Sequence, residues 1–264
     1  MGTGPKGNRD LSFEESKDMM EQILEAKAAP EQIAAFLLGW RLKSESVEEF
    51  QGALAALDAY TQKKSVANSI ELGYPYDAQA KNPYLLEGIA KHLGATSLQL
   101  VVTGDEKKFC KTFEAKNLHF FDRAFYLQEL HALTNLRRLL GVRTGLNTIE
   151  KLTGVAESKY AITGVHHTPY VKKYIEIFGT RYERFALIQG NEGTPELFKK
   201  GRLWLHTQGQ TQEYLIDPAA FGVEWSEDKV GLERLNAAIL LFVSGASLSV
   251  EEAYDSLFGE RALK

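Results

Sequence analysis

Apolar side chains recur every three to four positions through the first sixty residues, the spacing of a helix face turned towards a core. One run carries Met19, Met20, Ile23 and Leu24, a second Ile33, Phe36, Leu37 and Trp40, and a third Phe50, Ala53, Leu54 and Leu57. Ser12-Phe13-Glu14-Glu15 and Ser46-Val47-Glu48-Glu49 are capping boxes: each sets a hydroxyl for the amide three residues on and a carboxylate to reach back. Pro30 fits the first turn of the middle helix. Three short amphipathic helices with tight connections predict a small helical bundle.

After residue 66 the pattern changes. Residues 68–81, NSIELGYPYDAQAK, are a turn-rich junction and the hinge of the chain. Asn82 and Pro83 open a helix that buries Leu85, Leu86, Ile89 and Leu93 and closes at Gly94. Residues 98–102 form a continuous apolar run, as in a strand buried on both faces. Residues 105–116 are charged and poorly periodic, 118–121 predict a short strand, and 126–140 a helix. Residues 160–165 read as a strand, Thr168 and Pro169 as the start of a helix over 170–178, and 185–189 as a strand ending in Gly190-Asn191-Glu192-Gly193. Strand and helix in alternation argue for a parallel sheet. Residues 203–206 and 213–216 pair as an antiparallel hairpin at one edge. Leu235, Ala238, Ile239 and Phe242 share a helix face, and a third capping box at Ser249 to Glu252 starts the last helix.

The fold class is therefore α/β: a small N-terminal helical bundle plus a mainly parallel sheet domain covered by helices on both faces. The bundle spans residues 1–66 and is completed by the helix near 82–94 or by C-terminal helices; the sheet domain spans 67–264.

With 264 residues, 44% of them hydrophobic, the chain buries a substantial core. A single cysteine, Cys110, excludes an intramolecular disulfide and a cysteine-rich zinc site, and suits a reducing compartment. No apolar leader opens the chain and no run is long enough to span a bilayer, so the expected location is cytoplasmic and off the membrane. The net charge of −4 is unevenly spread. Residues 1–60 balance to −5, residues 61–202 to +7 and residues 203–264 to −6, so a basic segment lies between acidic ends. Its lysines either form a local positive field or scatter over a solvated surface.

Leu136 to Leu152, LRRLLGVRTGLNTIEKL, is the densest patch of candidate chemistry. A helix closes at Leu139 and Leu140 with Gly141 in the left-handed conformation that only glycine takes freely. Arg137, Arg138, Arg143 and Lys151 surround Asn147, Thr148 and Glu150. They are either a solvated helix end, where cations are expected, or the rim of a cleft for an anion, since guanidinium forks match phosphate.

Other chemistry finds less support. His166 and His167 are adjacent, so their side chains diverge and suit one metal poorly. There is no Gly-x-Ser-x-Gly elbow, and the glycines of residues 2–7 lack the strand and the Lys-Ser/Thr of a P-loop. A phosphate loop after the first strand falls on Gly73-Tyr74-Pro75-Tyr76-Asp77, leading to Asn82, with one glycine and a proline that removes an amide donor. Glu192 and Glu196 are the carboxylate pair nearest a strand end that magnesium would want.

In order, GNRDLSFEES, PEQIAAFLLGWRLKSESVEEFQGALAAL, LRRLLGVRTGLNTIEKLTG, RFALIQGNEGTPEL and EYLIDPAAFGVE resemble the anthranilate phosphoribosyltransferase family over most of the chain. The resemblance implies a helical N-terminal domain, an α/β domain and glycosyltransferase ancestry. It sets Arg137 or Arg138 against the arginine that holds anthranilate. The family's Gly-Thr-Gly-Gly-Asp, Asn-x-Ser-Thr and Lys-His-Gly-Asn-Arg segments read here LGYPYD, NPYL and VTGDEK, its Asp-Glu magnesium pair reads Pro195-Glu196, and the segment after Gly104 is shortened. Gly73, Asp77, Asn82, Gly104 and Asn147 are then remnants of a substrate site. Tyr-Pro-Tyr-Asp and Asn-Thr-Ile-Glu-Lys-Leu look like a paralogous branch associated with nucleic acid, as a homodimer with a basic groove.

That branch implies Lys81, Lys107, Lys108, Lys111, Arg137, Arg138, Arg143 and Lys151 as phosphate contacts, with Tyr74, Tyr76 and Tyr84 for stacking. The expected function is a lapsed phosphoribosyltransferase fold that binds nucleic acid without sequence preference and uses no cofactor. The competing readings are an active phosphoribosyl- or glycosyltransferase for another acceptor, which alone would need magnesium, and a module that only dimerises through its N-terminal helices.

Overall fold

The computed structural model of the chain describes residues 7–76, 84–105, 113–190, 193–223 and 228–259. In chain order the elements are α1 (Phe13–Leu24), α2 (Pro30–Lys43), α3 (Val47–Tyr60), β1 (Ser69–Gly73), α4 (Leu86–Leu93), β2 (Gln99–Gly104) and β3 (Leu118–Asp122). They continue with α5 (Arg123–Tyr126), α6 (Gln128–Ala132), α7 (Thr134–Leu140), α8 (Leu146–Ile149), β4 (Tyr160–Gly164), α9 (Tyr170–Phe178), β5 (Arg184–Ile188), β6 (Gly201–Thr207) and β7 (Gln210–Ile216). A 3-10 turn at Pro218–Phe221, then α10 (Lys229–Val243) and α11 (Val250–Phe258), complete the described chain.

These elements form two compact units, residues 1–63 with 122–155 and residues 64–121 with 156–264. The helical unit is thus completed by the central segment, which corrects the expectation that the helix near 82–94 or the C-terminal helices complete it. The reason is packing: α4 buries Leu86, Ile89 and Leu93 in the same core as Leu235, Ile239 and Phe242 of α10, inside the sheet unit.

In the helical unit both capping boxes form as expected, with Ser12 and Ser46 accepting from the Glu15 and Glu49 amides. Glu49 is fully buried and joins three segments: its carboxylate accepts from the Leu11 and Ser46 amides, the Trp40 indole and the Lys43 ammonium. Residues 126–140 are not one helix. Leu127, at φ −149° and ψ 66°, leaves the helical region and separates α5 from α6. Tyr126, Leu127, Leu130 and Leu133 are all buried, so the apolar period runs on across the break because the pieces share one core. Gly141 ends α7 at φ 67°, as expected.

Among the described residues the sheet unit holds seven strands in the order β3-β2-β1-β4-β5-β6-β7. β2, β1, β4 and β5 are parallel, with Leu72 opposite Val102 and Ile162, and Ala161 opposite Phe185. β6 and β7 add the expected antiparallel hairpin, longer than its apolar core suggested. Alternation sorts the two faces. Ile70, Leu72, Ile162, Ala186 and Ile188 pack under α4, α10 and α11. Phe185 turns the other way, against Phe178 of α9 and Tyr182, and the Tyr182 hydroxyl donates to the buried Glu71 at 2.8 Å.

Candidate functional site

The strand order reverses between β1 and β4, since β1 leads outwards to β2 and β4 the opposite way to β5. In an open parallel sheet, ligands bind outside the carboxyl ends of the strands at that point. β1 ends in Gly73 and β4 in Gly164, and the Thr163 hydroxyl donates to the Gly73 carbonyl at 2.7 Å, which ties the two strand ends together. Over them lies the segment 193–198. Gly164 and Gly190 touch its backbone so closely that a Cβ on either would stand 2.1 Å and 1.8 Å from the Thr194 carbonyl oxygen. Asn236 of α10 pins the same segment, accepting from the Leu197 amide and donating to the Leu197 carbonyl. The crevice at the switch point is therefore lined by fixed backbone.

From that segment Glu196 projects to the start of α4. It is 1% exposed, and its Oε1 accepts from the Tyr74 hydroxyl at 2.7 Å and the Leu85 amide at 2.8 Å. Burial pushes its carboxyl up to about 8, against the opposing hydrogen bonds from Tyr74, Leu85 and Leu86 and with help from the like charge of Glu233. A magnesium ligand needs an ionised carboxylate with oxygens to spare. Glu196 is held towards its protonated form with one oxygen committed to protein donors, so the donor set does not fit the metal. Glu192 lies outside the described residues. Among the described residues no group of three or more His, Cys, Asp or Glu is placed to hold a metal ion.

In the helical unit, α7 and the residues just after α8 build a charged cluster. Both terminal nitrogens of Arg137 sit on Glu150, at 2.7 Å to each carboxylate oxygen, and Arg123 adds a contact at 2.5 Å. Arg123 is 1% exposed, Glu150 3% and Arg137 9%. Burial alone would raise Glu150, but the Arg137 guanidinium, then Arg123, more than offset it and hold the carboxyl below its usual range. Thr134 accepts from Arg123 at 3.1 Å. The fork that suits a ligand's carboxylate or phosphate is here closed on the chain's own carboxylate.

The other expected site residues divide by burial. Arg138 and Arg143 are exposed, Arg138 with a local hydrogen bond to Asn135 at 2.9 Å. Lys151 is buried, so it does not present a charge to solvent. Asn147 is structural: its side chain accepts from the Thr144 amide and closes the turn into α8. Gly73 and Gly104 end β1 and β2 as buried residues. Lys81, Lys107, Lys108, Lys111, Asp77 and Asn82 lie outside the described residues. Tyr74 and Tyr76 are buried, and Tyr84 packs edge-on against Tyr74 at 4.9 Å, which corrects the expectation of open stacking platforms. Arg137 likewise faces Glu150 instead of an open anion cleft. Sequence reasoning passed over Arg123, Glu233 and Asn236. The one legible hint was Glu150, a carboxylate among the cations of its own stretch.

Two segments match known families: residues 5–60 match the helical bundle domain of a glycosyl transferase family, and residues 87–253 match its a/b domain. An uncharacterized protein of Aquifex aeolicus (strain VF5) is 29% identical, over 92% of this chain and 91% of its own. The anthranilate phosphoribosyltransferase of Laribacter hongkongensis (strain HLHK9) is 25% identical, over 81% of this chain and 71% of its own. Among solved structures, anthranilate phosphoribosyltransferase from Thermus thermophilus superposes with a TM-score of 0.75 at 15% identity, covering 95% of this chain and 92% of the other. The Saccharomyces cerevisiae enzyme in complex with 4-fluoroanthranilate gives a TM-score of 0.76 at 14% identity, covering 96% and 90%. At these identities the two superpositions speak for the fold.

Proposed function

Because the chain belongs to the glycosyl transferase family that joins a helical bundle domain to an a/b domain, we propose that it keeps the fold of the anthranilate phosphoribosyltransferases without their reaction and binds nucleic acid through exposed cations of its central segment. The observation that carries this reading is the clasp of Arg137 on Glu150. Of the two candidates for the acceptor arginine, Arg137 already holds a carboxylate, buried and hydrogen-bonded at both oxygens, and an anthranilate bound there would have to displace it. Glu196, turned inward to Tyr74 and Leu85, supports the same reading from the sheet unit.

The nucleic-acid half rests on charge. Residues 61–202 carry a balance of +7, and Arg138 and Arg143 stand exposed within it. Such a surface attracts phosphate backbones without reading bases. A homodimer through the N-terminal helices fits the exposed apolar residues of the helical unit, Leu38 and Leu42 on α2 and Leu139 and Val142 around the end of α7. Among the described residues no helix is long and apolar enough to cross a membrane, and the cytoplasm is the compartment we propose.

Two titrations test the proposal. Phosphoribosyl pyrophosphate with magnesium, added to the protein in a calorimeter, should give no saturable heat; a clear saturable heat would restore the transferase reading. A labelled oligonucleotide should bind at low salt and be released as salt rises, and failure to bind at low salt would remove the nucleic-acid reading. Replacing the exposed Leu42 by glutamate should shift the protein towards monomer in analytical ultracentrifugation; an unchanged sedimentation coefficient would exclude α2 from the dimer.

A further inference from the structure

Helix N-termini collect anions because their first amides lack partners within the helix and point outwards with the positive end of its dipole. α4 begins beside the carboxyl end of β1, where a phosphate-binding enzyme of this architecture would place such a seat. Here the seat is taken. Glu196 Oε1 accepts from the Leu85 amide, and the Tyr74 hydroxyl closes the other side. The first turn of α4 meets a second carboxyl: Gly88 has no room for a Cβ, because the carboxyl carbon and oxygens of Glu233 lie 1.9–2.3 Å from where it would stand. Glu233 is 9% exposed and pairs only loosely with Lys229, at 3.5 Å.

Two further facts bear on the seat: polar atoms are buried beside it, and the segment that fills it is pinned. Glu196 Oε2 and the Thr194 hydroxyl are buried side-chain oxygens with no hydrogen-bond partner among the described residues. The segment carrying them is not a loose flap, since Asn236 holds Leu197 on both its amide and its carbonyl. Glu196 is thus a fixed occupant.

We propose that Glu196 and Glu233 fill the anion seat at the N-terminus of α4, so that this helix withholds its amide donors from any phosphate-bearing ligand. Glu196 supplies the oxygen the amides need, and Glu233 sets a like charge where a phosphate's remaining oxygens would lie. The inference rests on the reading of a lapsed transferase and names the side chains that close its phosphate side.

The test uses inorganic phosphate on the full chain. In the wild type, the Leu85 and Leu86 amide signals in two-dimensional NMR should stay in place as phosphate is added. In the E196A/E233A variant the same two signals should move saturably, with a saturable rise of the thermal unfolding midpoint, and E196A alone should do so more weakly. Saturable movement of these amides in the wild type would overturn the proposal, because the seat would be open. A folded double variant whose Leu85 and Leu86 signals ignore phosphate would also overturn it, even if phosphate raised its midpoint from elsewhere. Should the double variant fail to fold, E196A decides: saturable movement of the two signals supports the proposal and silence overturns it. Oligonucleotide binding does not pass through this seat, so its failure would leave the result standing. Phosphoribosyl pyrophosphate heat in the wild type with silent Leu85 and Leu86 amides would sink the lapsed-transferase reading alone.

Discussion

Glu150 and Glu196 are both almost fully buried, at 3% and 1% exposure, yet their proton affinities move in opposite directions. Burial disfavours either charge; what differs is the company. Two guanidiniums face Glu150, whereas hydroxyl and amide donors and a second carboxylate face Glu196. A carboxyl lowered on folding contributes stability above its ordinary value of 4.5 and loses it as pH falls. Replacing Glu150 by Ala leaves two guanidiniums without their shared carboxylate and should cost about 3–5 kcal/mol in urea denaturation at pH 7. A cost near zero would mean that other groups carry the arginines. For Glu196 the sign reverses. Its folded value of about 8 exceeds the unfolded 4.5, so its contribution is complete below 4.5 and fades as pH rises through 8. Wild type should lose stability relative to E196Q between pH 5 and 9, read as a falling difference in unfolding midpoint; parallel curves would contradict the raised value.

At the scale of elements, glycines separate close packing from free surface. Gly164 at the end of β4 meets the backbone of Gly193 and Thr194, which cannot rotate aside, so Gly164→Ala should destabilise by about 1–3 kcal/mol. Gly39, exposed inside α2 with nothing within 4 Å of a built Cβ, should gain about 0.5–1 kcal/mol on replacement by Ala, since glycine only weakens a helix there. Equal effects in the two variants, measured by thermal denaturation, would refute the contrast. The same scale explains what the sequence disclosed. Caps and periods depend on a few neighbours, so the boxes at Ser12 and Ser46, the stop at Gly141 and the parallel strands β2, β4 and β5 were legible, whereas β1, buried in mid-sheet at Ser69–Gly73, corrects the reading of residues 68–81 as a turn-rich hinge. The box at Ser249 is one-sided, because Glu252 accepts from the Leu248 amide in place of that of Ser249. The break at Leu127 was illegible, for apolar spacing cannot tell one helix from three that share a core. Nor could spacing show that Arg137 faces a carboxylate thirteen residues away, because an arginine fork looks the same in sequence whether it holds a ligand or its own chain.

At the scale of the whole molecule, charge is the property that the fold leaves most open to test. The net charge of −4 conceals a middle segment of +7 between ends of −5 and −6, so averaged charge should repel a polyanion while the local field attracts it. The two effects respond differently to salt. Attraction to a phosphate backbone releases counterions and gives a linear fall of log affinity with log salt, whose slope counts the cations in contact. Arg123 and Arg137 are spent on Glu150, so they should add nothing to that slope, whereas Arg138 and Arg143 are exposed. Reversing both, as R138E/R143E, should weaken oligonucleotide binding about equally for unrelated sequences and flatten the slope by about one unit per cation removed. Fluorescence anisotropy at several salt concentrations supplies the measurement. An unchanged slope would assign the contacts to other cations of the segment, and a loss confined to one sequence would mean that bases, not backbone, are read.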